Sequence, residues 1–385
     1  MVTNAGGPAI LCVDALDKKN LKLAVLSEAT KKKLREIVNP EGSVENPVDL
    51  LPGGDAENYK NVVETIIADE NVDAIISIFV EPVMVTPFDV VETISSIQSN
   101  KPILQVVMPM PEFWEKYRNE SQKKLPVFRN PEDPAEVLSN MFFYSSSQKH
   151  LAKNRNKYNS LLRLKPKRNY LDAGFISHKE VELLCINYNI PIVKSKLIQP
   201  TKLNGISSKL FPLVLKGISP EVVHKTELNA VKLDIKNKTE LGKAAKEIQK
   251  SFSDDGYKVE HFLIQPFIKQ KHEFLIGGFR DLSFGPIIMF GSGGKYVEVF
   301  DDISIKSCFL SDDNISSMIN STKIGQILKG VRGEKSHNLK ELKRIIKSCA
   351  RMMIENPGIS EFDINPIILT SSDKFIAVDV RIKAY

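Results

Sequence analysis

No apolar run in the 385-residue chain approaches the roughly 20 residues a helix needs to cross a bilayer, so no membrane span is expected. The first ten residues, MVTNAGGPAI, carry neither a basic start nor a continuous apolar stretch, and no secretory leader is visible in them. Cysteine is scarce. Cys12, Cys185, Cys308 and Cys349 lie far apart and never at CxxC spacing. A disulfide framework or zinc site is therefore not expected, and a reducing, cytoplasmic setting is. Internal repeats and long low-complexity tracts are missing, which removes solenoids and collagen-like chains. Apolar residues at 42% and charged ones at 26% exclude a mostly disordered chain or a coiled-coil rod. At about 150 residues per domain, the length predicts two or three domains with proper cores.

Acidic residues are also missing, but only locally. The chain has 53 Lys and Arg against 47 Asp and Glu, a net charge of +6. From Met141 to Leu171 there is no acid at all, while Lys149, Lys153, Arg155, Lys157, Arg163, Lys165, Lys167 and Arg168 occur. Setting these eight charges aside leaves the rest of the chain at −2. The composition shift reads as a basic linker over 146–171 between a domain at 1–145 and another at 172–385. Its bland use is a solvated helix and connector. A contact with phosphate or RNA is the alternative, although no nucleic-acid partner is the leading expectation for a chain that is otherwise slightly acidic.

Through the first 145 residues, short apolar strands alternate with amphipathic helices. Val72–Val80 and Ile103–Met108 are near-continuous apolar runs, as strands buried on both faces of a parallel sheet should be. Helical spacing is seen at Ala9–Asp17, Ala56–Ile67, Phe88–Gln98 and Asp133–Phe143. The pattern predicts a doubly wound α/β sheet. Met1–Thr3 is only a stub of strand before Asn4-Ala5-Gly6-Gly7-Pro8, so the sheet is expected to begin mid-unit. The second half reads as α+β. Helices are predicted at Ser177–Tyr188, Lys238–Phe252 and Leu339–Ile354, and strands at Leu213–Lys216, Val231–Ile235, Phe262–Pro266, Glu273–Phe279 and Pro286–Phe290.

Four features of this half carry chemistry. Leu213-Val214-Leu215-Lys216 is a strand that delivers a cation, which suits a nucleotide phosphate, although such a lysine is more often simply solvated. Val223-His224-Lys225-Thr226-Glu227 places a histidine where it could accept a phosphoryl group or a proton; a hydrogen-bonded surface histidine is the plainer alternative. Phe290-Gly291-Ser292-Gly293-Gly294-Lys295 lets backbone N–H groups approach a phosphate closely, yet it is neither a Walker A sequence nor GxGxxG, and a flexible loop would look the same. Glu361-Phe362-Asp363-Ile364-Asn365-Pro366, followed by Ala377-Val378-Asp379, sets oxygen ligands within apolar strands. Acidic groups there are costly without a partner, and Mg²⁺ shared with phosphates needs only one or two protein ligands.

A lysine, a glycine loop and a carboxyl–amide pair on separate strands resemble an ATP-grasp site. The segments LVLKGISPEVVHKTELNAVKL, FGPIIMFGSGGKYVEVFDDI, ILKGVRG and EFDINPIIL with AVDVRI resemble the ATP-grasp half of the NDP-forming acyl-CoA synthetases. This is the family of ADP-forming acetyl-CoA synthetase and succinyl-CoA synthetase. VTNAGGPAILCVDAL, ENPVDLL and LPVFRNPEDPAEVL resemble its flavodoxin-like ligase domain. The resemblance implies a flavodoxin-like domain followed by an ATP-grasp domain, and an acid–thiol ligase interconverting acyl-CoA, ADP and phosphate with acid, CoA and ATP. It implies His224 as a second phosphoryl carrier, Lys216 and Glu273 as nucleotide contacts, Gly291, Gly293 and Gly294 as the phosphate loop, and Asn365 and Asp379 as Mg²⁺ ligands. Arg332 falls in a Gly-Val-Arg-Gly match with a catalytic role. Gly6 and Gly7 open a helix aimed at the phosphohistidine, where free N–H groups and the positive helix end favour phosphate.

Departures from the family pattern are expected to matter. Asn229-Ala230 stands where Gly-Gly is usual, and Pro266 replaces a glutamate in the hinge strand. The CoA-binding domain and the Ser-His-Thr-Gly domain with the main catalytic histidine are not in this sequence, so a partner domain or subunit carrying them, acyl-CoA as substrate and an oligomeric assembly are implied. Two other readings compete: a non-catalytic nucleotide-binding module descended from such an enzyme, and a stand-alone ATP-grasp carboxylate ligase.

Overall fold

The apolar runs around Ile78 and Val106 cannot leave either face in water, and they become the centre of a parallel sheet. In the computed structural model, which describes all residues except 83, 84, 122, 124, 168–170, 220–229, 295–300 and 331–334 and the side chain of 204, the chain divides into two units, Met1–Lys153 and Asn154–Tyr385. Among the described residues, the first holds strands β1 (Val2–Thr3), β2 (Val48–Asp49), β3 (Ile75–Val80), β4 (Ile103–Met108) and β5 (Val127–Phe128). They pair in parallel in the order β2-β1-β3-β4-β5, the flavodoxin-like arrangement. Helices α1 (Gly6–Lys18), α2 (Glu28–Ile37), α3 (Ala56–Ile67), α4 (Pro87–Ser96), α5 (Glu112–Glu120) and α6 (Asp133–Lys153) cover the sheet.

Alternation along β3 explains the two layers. Ile75 and Phe79 pack with Val62, Val63 and Ile66 of α3 and Val90, Val91 and Ile94 of α4, while Ile76 and Ile78 pack with Ala9, Cys12 and Leu16 of α1 and Ala135 of α6. The stub at Val2–Thr3 takes an interior place between β2 and β3. Helix α6 continues ten residues past Phe143, and none of its side chains beyond Ala135 is buried. Its end lies inside the basic stretch, so 146–171 is shared between the two units.

The second unit opens with α7 (Arg155–Leu162), β6 (Gly174–Phe175), α8 (His178–Asn187) and β7 (Lys196–Ile198). The basic stretch is fastened here: Lys157 pairs with Asp312 at 3.2 Å, Tyr158 Oη donates to Asn314 at 2.6 Å and Lys167 pairs with Glu355 at 3.1 Å. Strands β8 (Leu213–Ile218), β9 (Val231–Ile235) and β10 (His261–Pro266) join β7 in a sheet of order β7-β10-β8-β9, with α9 (Lys238–Asp254) between β9 and β10 in sequence. Leu241, Ala244, Ala245, Ile248 and Phe252 recur at helical spacing on α9 and seal one face of that sheet.

The larger sheet is antiparallel. It comprises β11 (Gln270–Asp281), β12 (Gly285–Ser292), β13 (Ile303–Ser307), β14 (Ile359–Thr370), β15 (Phe375–Ala377) and β16 (Val380–Ala384) in the order β13-β12-β11-β14-β16-β6, with β15 on β14. Helices α10 (Asp312–Asn320), α11 (Lys323–Leu328) and α12 (Leu339–Glu355) complete it. The α12 stripe of Leu342, Ile345, Ile346, Cys349, Met352 and Met353 is buried against the sheet, each side chain contributing roughly 1.5–3 kcal/mol. All four cysteines are buried as free thiols, and burial pushes Cys12 up to about 11 and Cys185 and Cys308 up to about 12. Among the described residues, no helix is long and apolar enough to cross a membrane.

Candidate functional site

Strand β8 alternates between a core face and a working face. Leu213 and Leu215 point to the α9 core, which leaves Lys216 on the opposite side. The strand runs on to Ile218, so Lys216 is interior to it rather than at its end, and only 6% of the residue is exposed. Its Nζ donates to the Val378 carbonyl at 2.9 Å and lies 3.7 Å from Asp379 Oδ1. Burial lowers its pKa, and the Asp379 carboxylate opposes that shift. Gln265, from the neighbouring β10, donates its Nε2 to the same carbonyl at 3.3 Å.

The other half of the site comes from the large sheet. Asn365 on β14 donates its backbone N–H to the Asp379 carbonyl at 3.1 Å, so the expected pair of oxygen ligands is brought together across adjacent segments. The Asn365 Oδ1 accepts from Gly294 N–H at 3.1 Å, which ties the glycine loop to that pair. The loop is also held by β11: Gly293 N–H donates to the Glu273 carbonyl at 3.0 Å, and Glu273 Oε1 accepts from Gln270 at 2.6 Å. Gly294 has φ +92°, and a Cβ there would run into the Glu273 carboxylate. Lys216, Gln265, Glu273, Gly293, Gly294, Asn365 and Asp379 thus form one connected set of contacts. Gly291 lies within β12, where a Cβ would strike the Asp302 carbonyl.

Three contributors are not among the site residues expected from the sequence, although one of them, Asp363, belongs to the carboxyl–amide motif. Asp302 is 6% exposed and holds the far side of the glycine loop. Its carboxylate accepts from Ser292 Oγ at 2.7 Å and from the Lys323 and Ile324 N–H groups at 2.6 and 2.9 Å, at the start of α11, whose own N-cap is Thr322. Burial alone would raise its pKa, but these donors outweigh it and hold the carboxyl below the usual range. Asp363 pairs in register with Arg381 across β14 and β16. Desolvation by the surrounding protein, opposed by Arg381 and reinforced by Asp379 and Glu361, pushes its carboxyl up to about 6, although its surface still reaches solvent. Gln265 had one available signal, a polar residue on the working face of an otherwise apolar strand.

His224, Arg332 and Asn229 lie outside the described residues. Ala230 is buried, and its carbonyl accepts from Gly217 N–H at 2.8 Å. Pro266 closes β10 opposite Leu213. In the first unit, Gly6 and Gly7 begin α1 with open space beside them, and Ala5 supplies no side-chain cap to the helix N–H groups. Asn4 supports this end by exchanging hydrogen bonds of 2.8 and 2.9 Å with the backbone of Val80. A cavity of about 440 Å³ lies beside the lysine–carbonyl contact and includes Ile218, Leu263, Gln265, Val378, Asp379 and Arg381 in its wall.

A hard cation fits the donor set, since Asn365 and Asp379 offer an amide oxygen and a carboxylate. Among the described residues there is no group of three or more His, Cys, Asp or Glu that could hold a metal by itself. Ligands from nucleotide phosphates would complete the shell, as is usual for Mg²⁺.

An ATP-grasp domain model matches residues 171–384 and a Ligase-CoA domain model matches 1–111. The chain is 29% identical over 395 aligned residues to an ADP-forming 4-hydroxybutyrate–CoA ligase of Nitrosopumilus maritimus, covering 99% of this chain and 56% of that protein. It is 35% identical over 202 residues to the beta subunit of an ADP-forming acetate–CoA ligase I of Pyrococcus furiosus, covering 50% of this chain and 85% of that one. A solved structure of a dinucleotide-forming acetyl-coenzyme A synthetase of Candidatus Korarchaeum cryptofilum, in complex with coenzyme A, Ca-AMPCP and HgCl+, aligns with TM-score 0.51 and 30% identity. That alignment covers 62% of this chain and all of the other. The chain spans about half the length of the full-length curated relative it matches. With a flavodoxin-like sheet, the antiparallel sheets of an ATP-grasp domain and both domain models matched, the chain belongs to the NDP-forming acyl-CoA synthetase family.

Proposed function

We propose that the chain is the ligase and ATP-grasp part of an ADP-forming acyl-CoA synthetase, interconverting acyl-CoA, ADP and phosphate with acid, CoA and ATP. The observation that carries this reading is the convergence of Lys216, Gln265, Asn365 and Asp379, with the glycine loop tied to both Asn365 and Glu273. In this reading Lys216 sits against a nucleotide phosphate, and Glu273 with the glycine loop of Gly291, Gly293 and Gly294 holds the nucleotide. Asn365 and Asp379 hold Mg²⁺, which when bound offsets the charge of the phosphates. His224 takes the phosphoryl group and passes it to ADP, and Arg332 steadies the transferring charge. The uncapped start of α1 at Gly6 and Gly7 receives a phosphate.

Turnover then requires a CoA-binding and phosphohistidine domain or subunit, which also receives the acyl-CoA, in a cytoplasmic oligomer. The beta-subunit character of the Pyrococcus furiosus relative supports such a division of labour. Incubation with γ-labelled ATP and Mg²⁺ tests the relay. Wild type is expected to acquire an acid-labile label and His224→Ala none; equal labelling of both, or no label on a wild type that binds nucleotide, removes the relay.

A further inference from the structure

Two side chains of the four-stranded sheet converge on one peptide of the larger sheet. Lys216 and Gln265, 6% and 5% exposed, both donate to the Val378 carbonyl. That peptide is fixed on its other sides as well: Val378 N–H donates to the Pro366 carbonyl and the Asp379 carbonyl accepts from Asn365, each at 3.1 Å. A lysine so deeply buried needs a counter-ion, and Asp379 Oδ1 at 3.7 Å provides one. The second oxygen of the same carboxylate lies 3.9 Å from Arg381 Nη2. A carboxylate facing two cations has little left to offer a free divalent ion, whose two charges would meet Lys216 across a poorly solvated gap.

We propose that Lys216 occupies Asp379 as its counter-ion in the nucleotide-free protein, so that a divalent cation is taken up together with nucleotide phosphates and not ahead of them. The inference rests on the nucleotide-binding reading of this cleft. Phosphate oxygens give Lys216 a replacement partner, and its departure frees the carboxylate for the metal. Gln265 is then a positioning residue: it keeps hold of the Val378 carbonyl while the lysine turns, so that Asp379 stays in register with Asn365. The ordering avoids leaving either a buried lysine or a doubly charged cation without an anion at any stage.

Mn²⁺ binding to the full chain without nucleotide, followed by electron paramagnetic resonance of the free ion, tests this. Wild type is expected to bind Mn²⁺ weakly. Lys216→Met, which fills the same buried space without charge, is expected to bind it at least about tenfold more tightly, a floor for losing a unit charge 3.7 Å from a ligand oxygen. Lys216→Arg keeps the charge and should remain as weak as wild type. Adding Asp379→Asn to Lys216→Met should abolish the gain and so place it at Asp379. Equal Mn²⁺ affinity of wild type and Lys216→Met overturns the proposal, as does tight binding by wild type. Calorimetry with ADP on the same samples separates the two readings. Failure of wild type to bind ADP with the Mn²⁺ difference intact removes the nucleotide reading, whereas ADP binding by wild type without that difference removes the counter-ion role.

Discussion

Glu355→Gln is expected to loosen the attachment of the basic stretch to the ATP-grasp unit. Glu355, at the end of α12, is 3% exposed. Its Oε2 accepts from Tyr188 Oη at 2.9 Å and faces Lys167 Nζ at 3.1 Å, while Oε1 takes Arg351 Nε. Asn356 donates to the Tyr188 oxygen at 2.8 Å, and the Lys167 ammonium lies 4.4 Å from the Tyr188 ring centroid. Burial alone would raise the carboxyl pKa, but the hydrogen bonds from Arg351, Tyr188 and Lys167 outweigh it and hold it below the ordinary 4.5. A glutamine keeps the shape and one acceptor but turns an NH₂ group toward a cation.

A buried hydrogen bond to a charged group contributes about 1.5–3 kcal/mol, and removing one member of a buried ion pair costs about 3–5 kcal/mol. Lys167 and Arg351 have side chains 47% and 60% exposed and can rehydrate, so the expected loss is about 2 kcal/mol. For a unit of this size the melting midpoint should fall by about 4–8 °C at neutral pH. Because the folded pKa is depressed, the stabilisation is present above the unfolded value near 4.5 and disappears as pH falls through the lower folded value. Circular-dichroism melts of wild type and Glu355→Gln should therefore differ at pH 7 and converge in acid, once the pH lies below the depressed folded value. The single tryptophan, Trp114, lies on α5 in the other unit, and its fluorescence transition should stay in place. Equal midpoints at pH 7, or a difference that persists undiminished in acid, refute the reasoning.

Gly294→Ala combines a φ of +92° with a Cβ that collides with Glu273, so Mg²⁺–ADP affinity measured by calorimetry should drop by about tenfold or more, and strain of about 1–3 kcal/mol should lower the melting midpoint as well. Asp302→Ala removes the acceptor of the Lys323 and Ile324 N–H groups at the start of α11 and the tie to Ser292, while the N-cap Thr322 stays. Urea unfolding should show a loss of about 1–2 kcal/mol, with nucleotide affinity falling in parallel; unchanged stability would mean that these bonds contribute nothing.

Strands and helices with strong periodicity were legible in the sequence. Ile103–Met108, Ala56–Ile67 and Val231–Ile235 have the predicted bounds, because each shows one unbroken pattern with turn residues beside it. Short pairing segments such as Val48–Asp49 and Gly174–Phe175 were not, since two residues carry no period and owe their conformation to the strands beside them. The end of α6 was missed for a different reason. Its exposed continuation lacks an apolar stripe, and hydrophobic patterning sees only the part that packs. In the candidate site, Lys216, Gly293, Gly294, Asn365 and Asp379 stand in separate sequence motifs and Glu273 came only from the family resemblance, whereas their mutual contacts depend on partners far apart in sequence.

The buried polar groups show why contact is harder to read than composition. Lys216, Asp302 and Glu355 each interrupt an apolar setting, and each would be unfavourable there without a partner. Asp302 finds its donors about twenty residues on, at Lys323 and Ile324, but Lys216 finds Val378 and Glu355 finds Tyr188 more than 160 residues away. No window of sequence contains such a pair. The basic stretch follows the same logic: two of its cations, Lys157 and Lys167, are used against Asp312 and Glu355 within the second unit. The charge excess that sets this stretch apart in composition is thus partly structural, a clamp between the start of the ATP-grasp unit and the helices α10 and α12 behind its larger sheet. Among the described residues, an anion-binding role for the stretch would have to fall to the exposed Lys149, Lys153, Arg155, Arg163 and Lys165, because pairing Lys157 or Lys167 with a phosphate would leave an acidic partner unmatched, and at Glu355 that partner is buried.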